Sequence, residues 1–151
     1  MSISLEDSNM MLVSIGLATM VITVTVTLLT YKKTASSQAY TNVDQLYNDS
    51  LETGIDHPEF RNPEYTGNYL QLTDKNERLK YESYAYLIWN LIETVYDDNQ
   101  NIDTWKPMIE TEVKIHKKWY LQEENQKKFK QLFRDEFKRD YEYLLKDNSE
   151  N

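Results

Sequence analysis

Residues 73–96 read Thr-Asp-Lys-Asn-Glu-Arg-Leu-Lys-Tyr-Glu-Ser-Tyr-Ala-Tyr-Leu-Ile-Trp-Asn-Leu-Ile-Glu-Thr-Val-Tyr. Leu79, Tyr84, Leu87, Ile88, Leu91, Ile92 and Val95 recur at helical spacings, so one face of a helix is apolar. Tyr81, Ala85, Tyr86 and Trp89 widen that face, which predicts a central helix touched on two sides. Thr73, followed by Asn76 and Glu77, marks its start. Neither an internal repeat nor a pair of strands is evident around it. The fold class expected is therefore all-α, with a small three- to four-helix bundle-like domain at residues 41–146.

Working outward, Asn42 is placed to cap a first helix carrying Val43, Leu46, Tyr47 and Leu51, with Gly54 as its stop. Asp56-His57-Pro58-Glu59-Phe60-Arg61-Asn62-Pro63 then reads as one helical turn between loops, since Pro58 suits a first turn and Pro63 forbids continuation. Beyond the central helix, 97–101 forms a polar turn. Asp103 or Thr104 caps a third helix with Pro107 in its first turn and Trp105, Met108, Ile109 and Val113 on its stripe. After Trp119, Tyr120 and Leu121, a final helix is expected from Glu123 to Lys146, burying Phe129, Leu132, Phe133, Phe137, Tyr141, Leu144 and Leu145. Glu123 with Lys127, Glu124 with Lys128, Asp135 with Arg139 and Glu142 with Lys146 are acid-before-base pairs four residues apart. Residues 147–151 read as a disordered tail.

Toward the N-terminus, a short tail at 1–9 precedes Met10 to Tyr31, 22 residues without a charge. Crossing a bilayer takes about 20 residues. Val21 to Thr27 alternates with strand period, yet a lone strand in lipid leaves its backbone unpaired, so a transmembrane helix is expected. Its apolar body is Met11, Leu12, Val13, Ile15, Leu17, Val21, Ile22, Val24, Val26, Leu28 and Leu29. Tyr31, Lys32 and Lys33 form an interfacial belt with snorkelling cations. Cleavage as a signal peptide, with Ser37 and Ala39 before the cut, is opposed by Glu6 and Asp7, by the length of the run and by the two lysines after it. Those lysines place the C-terminal domain in the cytoplasm by the positive-inside rule. Ser14 and Ala18, with Thr19, Thr23 and Thr27, make a small, weakly polar stripe suited to helix–helix contact. Residues 32–40, rich in Thr, Ala, Ser and Gln, read as a linker.

The chain holds 25 acidic and 17 basic residues, a net charge of −8. From residue 40 onward the balance is 23 to 15, with 13 against 4 in 40–105 and 10 against 11 in 106–151. Such an acidic, lopsided domain is not expected to bind nucleic acid. The lysines and arginines of the last third could rest on an anionic leaflet. With no cysteine, disulfides, thiolate nucleophiles and thiolate metal sites are excluded. Gly54 and Gly67 are the domain's only glycines, so no phosphate loop exists, and no Gly-x-Ser-x-Gly elbow appears. Glu112 and His116, four apart on a helix, are too few for a metal centre and read as a surface salt bridge. His57 near Glu59 lacks a nucleophile. No catalytic residue, cofactor or metal ligand is therefore assigned, and the chain is not expected to be an enzyme. Tyr40, Tyr47, Tyr65, Tyr69, Tyr120 and Tyr143 cannot all be buried, which points to a contact surface.

The order of anchor, short helix, His57-to-Pro63 turn, aromatic central helix, Trp105 helix and Trp119-Tyr120 resembles a group of small single-pass bacterial membrane proteins of unknown function. These show a His-Pro-Glu-Leu-like turn and a late Trp-Tyr pair in a helical domain. The resemblance spans residues 40 to about 140, implies a helical domain and carries no catalytic residues over. The function expected is a membrane-tethered interaction or structural module, with the lipid bilayer and an unidentified protein or a second copy as partners. The alternative is a membrane-bound ligand-binding domain or enzyme near His57 and Glu59, which predicts a concave pocket with shifted pKa values near His57.

Overall fold

In a computed structural model of the chain, residues 5–98 and 102–146 are described, apart from the side chains at 5–13, 15, 36, 39 and 98. Every regular element among them is helical: α1 (Leu5–Asp56), α2 (Pro63–Gly67), α3 (Lys75–Asp98), α4 (Ile102–Tyr120), α5 (Glu123–Gln126) and α6 (Gln131–Leu145). Two 3-10 turns, Pro58–Arg61 and Tyr69–Gln71, flank α2. The chain divides into two compact units, Met1–Ala39 and Tyr40–Asn151.

In the first unit, the described side chains from Gly16 to Tyr31 are all exposed, Leu17 at 60%, Val21 at 65% and Tyr31 at 72% among them. Thr23, Thr25 and Thr27 each donate their hydroxyl to the carbonyl four residues earlier, at 2.8–2.9 Å. Among the described residues, no helix is long and apolar enough to cross a membrane. Met11, Leu12, Val13 and Ile15, the first part of the expected span, lie with their side chains outside those residues. The expected linker is helical instead, and Asn42 lies inside α1 rather than at a cap. No glycine or proline stands between Tyr31 and Ser50, so nothing in that stretch breaks a helix.

In the second unit, α3 and α4 make the central pair, with α6 against both and α2 on α4. Tyr81, Ile88, Trp89 and Ile92 on α3, Ile109 and Val113 on α4 and Phe137 on α6 are fully buried. Trp89 stacks on Tyr120 with ring centres 3.8 Å apart and meets Phe137 edge-on at 5.0 Å. Tyr40 and Tyr47 of α1 pack on Trp105. The core is thus largely aromatic, and Tyr69 and Tyr120 belong to it rather than to a contact surface. Tyr40 and Tyr143 stay exposed.

Several expectations need correcting. The side chain of Asp74, not Thr73, caps α3, accepting from the backbone of Asn76 at 2.8 Å and of Glu77 at 3.4 Å. Of the expected polar turn, 97 and 98 belong to α3, which runs on to Asp98, and residues 99–101 lie outside those described. Trp119 and Tyr120 end α4. The last helix is two, α5 and α6, because Phe129 enters the core through a turn in which Lys130 donates its backbone N–H to Glu93 at 2.8 Å. Leu79, Leu87 and Leu132 are exposed, not core. Glu123–Lys127 and Glu142–Lys146 form as expected. Arg139 instead pairs with Asp140, and Lys128 lies over the Trp119 ring at 5.0 Å. Residues 147–151 lie outside the described residues.

Candidate functional site

The turn at Pro58–Arg61 places two neighbouring side chains on opposite errands. Phe60 enters the core, packing near Tyr81 and Tyr84. Arg61 crosses the end of α1 to reach α4. Its Nη2 donates to Glu112 Oε1 at 2.9 Å and its Nη1 to Oε2 at 3.1 Å, a bidentate fork. Nη1 also approaches the Tyr84 hydroxyl at 3.4 Å, which donates to the Ser50 carbonyl at 3.2 Å. Gly54 makes the crossing possible: a Cβ there would stand 2.7 Å from Arg61 Cδ and 3.1 Å from the Tyr84 hydroxyl.

Glu112 and His116 are both 0% exposed, so the expected surface salt bridge is a buried cluster. His116 Nδ1 lies 3.3 Å from the Tyr81 hydroxyl, and Nε2 lies 3.5 Å from Glu112 Oε2 without an aligned hydrogen bond. The backbone carbonyl of His116 accepts from Trp89 Nε1 at 3.3 Å, and that of Ile115 accepts from Thr66 at 2.7 Å. Burial pushes the His116 imidazole below its ordinary range, with Glu112 opposing. For Glu112, burial would raise the carboxyl, but His116 and the Arg61 fork outweigh it and hold it below the usual range. Burial lifts Tyr81 far above its ordinary value and Tyr69 to about 12. The cluster is therefore a neutral imidazole beside a charged, fully paired Arg–Glu bridge. Among the described residues no group of three potential ligands could hold a metal ion.

Beside the cluster lies an open groove of about 710 Å³, lined by Thr53, His57, Phe60, Asn76, Leu79, Lys80, Ser83, Tyr84 and Leu87. His57 stacks on Phe60 at 4.9 Å, and its Nδ1 is 3.2 Å from Glu59 Oε1. A groove thus lies beside His57. Leu79, Ser83 and Leu87, one stripe of α3, form its far wall, which explains why these leucines are exposed. Sequence reasoning singled out His57, Glu59, Glu112 and His116, and missed Arg61 as the group joining two of them. Two side chains facing each other across 51 positions of sequence leave no local signal.

Comparison with protein-family models, with curated proteins and with solved structures finds no match for this chain.

Proposed function

We propose that this chain is a membrane-tethered helical interaction module, with α1 as the anchor and the Tyr40–Asn151 unit on the cytoplasmic side. The observation that carries the reading is the sleeve of exposed apolar side chains around α1. From Leu17 to Tyr31 they face every direction, and nothing among the described residues covers them. A helix apolar all round is stable only in a core or in lipid. The charge-free run extends to Met10, long enough to span, and the threonines satisfy their own hydroxyls as lipid demands. Ser14, Ala18, Thr19, Thr23 and Thr27 then offer a close-packing stripe to another helix.

In the domain, the Leu79–Ser83–Leu87 wall of the groove forms the surface on which a partner's apolar helix would lie, as in helix-in-groove recognition. A second reading, a small-molecule site, is favoured by one observation. His57 lines the groove while Glu59 holds its Nδ1, leaving Nε2 for a ligand.

Alkaline carbonate extraction of membranes carrying the full chain tests the tether. The chain is expected in the pellet, and Val21→Lys, costing about 2.5–3.5 kcal/mol at a span's centre, should move it toward the supernatant. Full release of the unsubstituted chain would end the membrane reading. For the groove, a photo-crosslinker at Ser83 should capture a partner in a manner abolished by Leu87→Asp.

A further inference from the structure

The exposed face of α3 has the same spacing in both directions from Ser83. Leu79 and Leu87 stand four residues to either side of it and Asn76 and Asn90 seven, and all five are exposed. Leu79, Ser83 and Leu87 therefore form one row with a small residue at its middle, the kind of ridge that interdigitates when two helices cross. The hydroxyls around it are already served. Ser83 donates to the Leu79 carbonyl at 2.8 Å, and on the opposite wall of the groove Thr53 donates to the Asp49 carbonyl at 3.0 Å. A helix laid over the leucines leaves both hydrogen bonds intact.

The two sides of the row differ in charge. Lys80 lies on the side of α1, lining the groove with Thr53 and His57, while Tyr86 lies on the side of Lys128. Among the described residues Lys80 has no ion pair, and neither has Asp49, which shares a face of α1 with Thr53. This end of α1 passes α3 in the opposite direction, since Tyr84 donates to the Ser50 carbonyl whereas Phe60 lies near Tyr81. Asp49 consequently stands toward the Leu87 end of the groove, away from Lys80 of its own chain. A second α3 laid antiparallel about a two-fold axis at Ser83 reverses the ends and keeps the sides. Its Lys80 then comes level with Tyr86 on the α1 side, within reach of Asp49. An unrelated helix has no reason to repeat these spacings; a second copy repeats them by symmetry.

We propose that two copies of this chain pair through α3, antiparallel across a two-fold axis at Ser83, with Leu79 of each beside Leu87 of the other and Lys80 of each reaching Asp49 of the other. The contact is isologous, one patch serving both copies, so it closes at a dimer. The leucines supply the apolar centre and the lysine–aspartate pairs the register. The pairing rests on the reading of the Leu79–Ser83–Leu87 wall as a helix-docking surface, and it names the helix that docks.

Because the chain has no cysteine, single cysteines report the register. In full-length chains treated with a short bis-maleimide, Ser83→Cys, on the axis, is expected to link to its own copy. Co-expressed Asn76→Cys and Asn90→Cys chains should give mixed dimer in excess of either like dimer, because like positions stand about 21 Å apart along the antiparallel pair. Lys80→Glu should reduce the Ser83→Cys link about tenfold, and Asp49→Lys in the same chain should restore it. All the substituted sites are exposed, and the restored chain must regain the link at an unchanged melting temperature. Dominance of like dimers, or linking that ignores the Lys80 reversal, overturns the pairing. If a photo-crosslinker at Ser83 captures another protein in place of a second copy, the pairing falls and the docking surface stands. If folded chains capture nothing there, both fall together.

Discussion

Gly54 is the smallest residue in the Arg61 crossing and the least replaceable. Alanine in a helix interior normally stabilises by about 1 kcal/mol over glycine. Here the added methyl would meet the Arg61 stem at 2.7 Å, a stem fixed at its far end by Glu112. Gly54→Ala is expected to destabilise by about 1–3 kcal/mol, as overpacking does, measured by urea unfolding. His116 carries a pH signature. Its folded pKa lies below the ordinary 6.5, so on acidification the unfolded chain takes the proton first and stability falls from about pH 6.5 downward. Glu112, also depressed, adds a second loss below its ordinary 4.5. The groups facing His116 are Tyr81, Tyr84, Glu112 and Arg61, and neither tyrosine titrates in that window. His116→Asn should flatten the slope of stability between pH 6.5 and 5 while leaving the fall below 4.5; an unchanged slope would assign it elsewhere.

At the level of elements, the helix starts show how narrowly local chemistry decides. Asp74 caps α3 with two hydrogen bonds, and Asp74→Ala should cost about 1 kcal/mol, whereas Thr73→Ala should leave the melting temperature nearly unchanged. From sequence the central helix, the Pro58 turn and the α4 stripe were legible, because periodicity and proline placement are local. The Glu112–His116 burial was not, since a Glu and a His four apart look the same on a wet face or under an arginine from another element. The split between α5 and α6 was equally hidden: Lys127, Lys128 and Lys130 have good helical propensity, and only Phe129 entering the aromatic core breaks the run. Leu79 and Leu87 continue the apolar period of α3, and periodicity cannot distinguish a leucine in a core from one on a groove wall. The continuity of α1 through 32–40 shows that small polar residues without glycine or proline do not oblige a chain to leave the helix.

On the scale of the molecule, the second unit holds a core of its own. The described residues of 40–146 close their own aromatic core, with Val43 of α1 inside it, so this piece is expected to fold in water without the first unit. A cooperative thermal transition of a chain beginning at Tyr40 would bear this out; a molten, non-cooperative one would mean that the first unit contributes to the fold.

The three tryptophans have a spectroscopic consequence. Trp89, Trp105 and Trp119 are all buried in the second unit, and the first has none. Tryptophan emission will therefore be blue-shifted in the native protein and will report the domain alone. Melting followed by tryptophan emission is blind to whether the apolar helix sits in lipid, in detergent or in water.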